Sequence, residues 1–119
     1  MLTLEKLKEC GVDTNDGMKR CMNNEAFYLR LVNMALDDGV FDRMRAAVES
    51  GDVKEIFEAA HAMKGMLGNL SLTPLVTPAS EMTELARGGC EADYPALWDI
   101  IRTRREELLR LRDESRLSK

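Results

Sequence analysis

Residues 52–72 read DVKEIFEAAHAMKGMLGNLSL, and the fold turns on how this stretch is wound. As an α-helix it separates into two faces. Val53, Ile56, Ala60, Met63, Leu67 and Leu70 recur at spacings of three and four and make one apolar stripe. His61 points away from it. Lys54, Glu58, Lys64, Gly65 and Gly68 fall around the histidine at offsets of three, four and seven. The single histidine of the chain is therefore expected to face water in mid-helix, with a lysine and two glycines beside it.

The glycines run against local propensity, since each costs about 1 kcal/mol relative to alanine in a helix interior. No turn explains Gly65 and Gly68. Two readings account for them: they let a neighbouring helix pack closely, or they clear the histidine face for the backbone or loop of a partner.

His61-Ala-Met-Lys64-Gly65, followed by Gly68-Asn69-Leu70, resembles the signature of histidine-containing phosphotransfer (HPt) domains, whose shared core is His-x-x-Lys-Gly. Asn24-Glu-Ala-Phe-Tyr ahead of an apolar-periodic helix, and Ser50-Gly-Asp52 at the start of the histidine helix, extend the resemblance from about Val12 to the last helix. The chain departs from the pattern at Met66 and Leu67, where the family has small residues, and at Ser71, where it has glycine. The resemblance implies that His61 accepts and donates a phosphoryl group and that Lys64 offsets its charge. It implies that Lys54, Phe57, Glu58, Gly65, Gly68 and Asn69 contact the partner. That partner would be a response-regulator receiver domain with an acidic pocket, a phosphorylatable aspartate and bound Mg²⁺, served by a hybrid histidine kinase.

Composition bounds the alternatives. A chain of 119 residues suits one domain over 1–119 with a real core. Its net charge of −4 argues against nucleic acid as the main partner, which needs a basic footprint. Cys10, Cys21 and Cys90 are odd in number and lack paired spacing, which predicts reduced thiols in a cytoplasmic protein. One histidine with scattered cysteines makes no metal pattern. No apolar run approaches the roughly 20 residues of a membrane span, and the N-terminus lacks signal-peptide form.

No stretch alternates like a strand, so the expected class is all-α: an antiparallel up-down four-helix bundle with short N-terminal capping helices. Thr3 caps a short helix that Gly11 stops, and Asn15 or Asp16 starts another. Asn24 caps a long helix over about 24–50. Phe27, Leu31, Met34, Phe41, Met44 and Val48 hold one phase along it, with Asp37-Asp38-Gly39 as a bend or, alternatively, a break. Asp52 opens the histidine helix, about 52–71, with Glu55 in capping-box spacing. Thr73 as N-cap and Pro74 at the first position start a helix over about 74–88, with Pro78 a turn inside it. The last helix spans about 92–114, with Leu97, Ile101, Leu108 and Leu111 inward. Its arginines at 102, 104, 105, 110, 112 and 116 read as a solvated, ion-paired face, or as a basic dock for an acidic partner. The eight methionines read as filler for irregular core gaps.

The chemistry that fits is nucleophilic. A neutral imidazole attacks phosphorus through one ring nitrogen while the other holds the proton. The chain has no glycine-rich nucleotide loop and no acidic metal pair, so it reads as a carrier and not a kinase, with no cofactor of its own. The expected protein is a monomeric phosphorelay intermediate. A helical adaptor that binds a receiver without being phosphorylated is the main alternative. A hydrolase or metal enzyme built on His61 lacks a second ligand or base beside the ring.

Overall fold

The computed structural model describes residues 1–117, the last three by backbone alone. Seven helices follow in order: α1 (Leu4–Glu9), α2 (Thr14–Arg20), α3 (Glu25–Leu36), α4 (Val40–Ser50), α5 (Val53–Gly68), α6 (Thr73–Arg87) and α7 (Tyr94–Leu117). No strand occurs among the described residues. Helix α4 packs on α5, α5 on α6, α6 on α7, and α7 returns to α4, closing a ring of four. The joints at 51–52, 69–72 and 88–93 are too short for anything but antiparallel neighbours. Phe41, Met44, Ile56, Met63, Leu67, Leu75, Met82, Ile101 and Leu108 meet in the centre, all buried. Each such side chain contributes roughly 1.5–3 kcal/mol through burial.

The helix starts follow capping chemistry. Thr3, Asp13, Asn24 and Asp52 each accept a backbone N–H of the first turn with a side-chain oxygen. Asp93 Oδ1 does the same for the Ala96 N–H at 3.0 Å, which places the start of α7 at Tyr94 and not at 92.

The long helix expected over 24–50 is two helices. Asp37 ends α3, and the Asp38 carboxylate turns forward to accept the Val40 N–H at 2.8 Å, starting α4 afresh. Two acidic residues and a glycine favour capping over helix continuation. The break also changes which side of α3 is inside. Tyr28, Val32, Ala35 and Leu36 are buried, whereas Phe27 is 40% and Met34 59% exposed. Helix α3 is apolar on both sides, and its phase cannot be carried across 37–39 from Phe41. It rests on α2 and α7, outside the ring.

The histidine helix stops at Gly68, short of the expected 71. The Leu72 N–H bonds the Leu67 carbonyl at 3.1 Å and the Ser71 N–H bonds the Gly68 carbonyl at 3.1 Å, the Schellman arrangement, with Ser71 at φ +55°. Leu67 and Leu72, the apolar pair of that motif, are both buried. Ser71 occupies the left-handed position that usually favours glycine, at a cost of order 1–2 kcal/mol. Its hydroxyl donates to the Asp16 carboxylate and its carbonyl accepts the Asp13 N–H at 3.3 Å, tying the turn to α2. Tyr28 adds a further tie, donating from its buried hydroxyl to the Leu70 carbonyl at 2.8 Å. Gly17 faces the Tyr28 ring, and an added Cβ would lie 2.5 Å from it.

Thr73 is the first helical residue and not the cap; Leu72 holds that place without a side-chain bond. Pro78 deprives the Pro74 carbonyl of its helical donor, and Arg104 Nη1 supplies one at 2.8 Å. The arginines of α7 accordingly divide. Arg102 and Arg110 pair with Asp99, Glu106, Glu107 and Glu114 on their own helix. Arg105 donates twice to the Leu36 carbonyl, at 2.9 and 2.7 Å, with its guanidinium 4.3 Å from the Phe41 ring centroid. Arg112 reaches Asp37 at 2.9 Å. These last two hold the α3–α4 break against α7. The Arg116 side chain lies outside the described residues.

Candidate functional site

Asp52 gives α5 its start by accepting the N–H groups of Lys54 and Glu55 at 3.0 and 3.4 Å. From there the spacing of apolar residues sets the rotation of the helix. Ile56, Ala60, Met63 and Leu67 are buried, Val53 half-buried, and Leu70 buried in the turn beyond. His61 is on the opposite side and exposed. The core stripe thus orients the imidazole outward in mid-helix.

Of the residues expected around it, Lys54, Glu58, Gly65 and Asn69 are exposed, and Phe57, Lys64 and Gly68 half-buried. Lys64 is three residues from His61, within one turn on the same side. Nothing lies within 4 Å of a Cβ built at Gly65 or at Gly68. The glycines face open space, so packing against a neighbouring helix does not explain them. Asn69 caps the end of α5, two turns from the ring.

Two residues from other helices complete the surface. On the α6 side the Phe57 ring stacks on His61, with centroids 5.7 Å apart and planes inclined by 17°. Arg87, at the end of α6, puts its guanidinium 5.6 Å from the Phe57 centroid, where ring and cation attract. On the α4 side Arg43 pairs with Glu58 at 3.5 Å. Sequence reading did not find Arg87 or Arg43. Each lies on another helix, and no spacing along the chain relates it to position 61.

The chain is acidic overall, but both lysines of α5 are on the histidine side. Lys54 and Lys64 share the histidine face, Arg43 is paired with Glu58 on it, and Arg87 lies behind Phe57, 3.6 Å from Glu84. Such exposed pairs contribute little to stability, but their field suits an anionic group or an acidic partner pocket. Among the described residues no cluster of three or more His, Cys, Asp and Glu side chains could hold a metal ion. No helix of the described residues is long and apolar enough to cross a membrane. A solvent-facing imidazole with lysines on its side of the helix and clear ground beside it is open to a reactant arriving from solvent.

A family model described as Hpt domain matches residues 35–114, from the end of α3 through most of α7. No curated protein and no solved structure matches the chain.

Proposed function

The chain belongs to the Hpt domain family, and from that premise we propose that it carries a phosphoryl group on His61 between receiver-domain aspartates. A ring nitrogen of His61 attacks the phosphorus of an aspartyl phosphate, the carboxylate leaves, and the second ring nitrogen keeps its proton. The reverse step loads the next aspartate. The observation that carries this reading is an exposed imidazole on bare ground: His61 is solvent-facing, with open space over Gly65 and Gly68.

Each flank has a part in this reading. Lys64 offsets the negative charge of the transferring group, and Arg87 adds positive field from the α6 side. Phe57, held from behind by Arg87, keeps the imidazole from folding onto the helix. Lys54, Glu58 and Asn69 frame the docking surface. The receiver brings the acidic pocket and the Mg²⁺, so the carrier needs neither nucleotide site nor kinase domain. A hybrid histidine kinase is the proposed source of the phosphoryl group, and the cytoplasm the proposed place.

Incubation with receivers charged by acetyl phosphate tests this. The expected label on the wild type is acid-labile, as phosphohistidine is. His61→Gln should melt like the parent and take up none. Undiminished labelling of that variant would remove His61 from the reaction, and absence of label on the wild type with every receiver would leave the adaptor reading.

A further inference from the structure

Beside the histidine, on the α4 side, lies a hollow of about 470 Å³ lined by Asp38, Gly39, Val40, Arg43, Ala62 and Met66. It sits where the α3–α4 break meets α5. Its walls are chemically unequal. Val40, Ala62 and Met66 make an apolar floor and one side, and Asp38 and Arg43 make a polar rim. Gly39 leaves the other side open, since nothing lies within 4 Å of a Cβ built there. Val40 is buried, Met66 half-buried and Ala62 exposed, so the apolar surface starts in the core and rises to solvent.

The hollow is continuous with the transfer surface. Ala62 follows His61 in sequence, and Ala62 and Met66, four apart, share one side of α5. Arg43 on the rim is the residue that pairs with Glu58 on the histidine face. A domain that docks over His61 and extends toward α4 also covers this opening. Apart from the Phe57 ring, which is stacked on His61, the rest of the face is polar or bare: lysines, the Arg43–Glu58 pair and two glycines. The hollow is thus where that face offers an apolar seat, and a seat is where partners of similar charge can be told apart.

We propose that the hollow walled by Met66 selects among receivers, by seating one apolar side chain that flanks the acidic pocket of the docking domain. This rests on the phosphocarrier reading. The unbranched thioether of Met66 adapts to aliphatic and aromatic shapes alike. Size and polarity of the inserted residue then set docking affinity, whereas the chemistry at His61 is common to all receivers. Met66 is a specificity residue and touches no reacting atom.

A panel of isolated receiver domains charged with acetyl phosphate tests the assignment, with kcat and KM measured for transfer to wild type, Met66→Ala, Met66→Gln and Gly39→Leu. Phosphoramidate labelling and thermal melting of each variant run alongside. The receivers that serve the wild type best should show KM raised about five- to tenfold in each variant, kcat unchanged, and phosphoramidate labelling unaffected. Gly39→Leu acts from the opposite wall, leaves Met66 in place and starts from a Cβ that meets nothing within 4 Å, so it decides the matter if Met66→Ala folds poorly. KM values within about twofold of wild type for all three variants, with the ranking of receivers unchanged, would overturn the role of Met66 and leave the carrier reading standing. If no receiver transfers to the wild type, both fall together.

Discussion

At Gly65, in the last turn of α5, docking and folding make opposite demands. The residue is exposed, and an added Cβ meets nothing within 4 Å. Alanine there should stabilise the helix by up to about 1 kcal/mol, the glycine-to-alanine difference in helix propensity. With a specific unfolding entropy of about 2.1 cal/mol/K per residue, 119 residues give about 250 cal/mol/K, so the gain corresponds to a rise of about 4 °C in Tm. Glutamate shares much of that propensity gain but places a negative charge near a helix C-terminus, which costs about 0.3–1 kcal/mol. The two effects nearly cancel, and Gly65→Glu should melt within about 1 kcal/mol of the parent. Its function should not survive. A carboxylate over the histidine face opposes an acidic pocket by volume and by charge, so transfer from a charged receiver should fall to little or nothing. Phosphoramidate, a small donor that needs no docking, should still label His61. The assays are a thermal melt by circular dichroism and parallel labelling by the two donors. A drop of several degrees in Gly65→Ala, or collapse of Gly65→Glu, would return the glycine to a packing role and refute the reasoning. Equal loss of both labels in Gly65→Glu would show that the substitution damages the imidazole and not the docking.

Lys64→Ala should slow transfer from receivers with melting nearly unchanged, and a wild-type rate would reduce Lys64 to a solvated surface charge. Leu67→Ala empties a fully buried site shared by the core stripe and the Ser71 turn; chemical denaturation should show a loss of about 2–5 kcal/mol, and a loss under roughly 0.5 kcal/mol would mean the stripe faces water. Tyr28 is pushed up to about 12, chiefly by burial, while the unfolded phenol ionises near 10. The folded chain therefore keeps the proton where the unfolded chain has lost it, so this contribution is whole below about pH 10 and is lost as pH rises toward about 12. Tyr28→Phe should flatten that alkaline decline and, at neutral pH, cost about 1–3 kcal/mol by leaving the Leu70 carbonyl without its buried donor; an unchanged alkaline slope in denaturant titrations would assign the decline to other groups.

Much of this protein is determined locally. The stripe from Val53 to Leu70 and the position of His61 follow from helical spacing alone, because a helix that buries one face must expose the other. The caps at Thr3, Asn24 and Asp52 belong to the same level, since a capping oxygen reaches only the next two or three residues. The all-helical class follows from the absence of alternating patterns, and the family from the His61–Gly65 signature. What the tertiary structure decided lies where two local readings compete or where partners are distant in sequence. Helix α3 is apolar on both sides, so periodicity selects Phe27, Leu31 and Met34, whereas packing on α2 and α7 buries Tyr28, Val32 and Leu36. The break at Asp37–Gly39 is held by Arg105 and Arg112, some seventy residues away. Ser71 accepts a left-handed backbone because Asp16 and Asp13 meet it there. Arg87 and Arg43 reach the site from α6 and α4, and no spacing along α5 encodes them. A residue's own helix fixes which way it points, whereas the other helices fix what it meets.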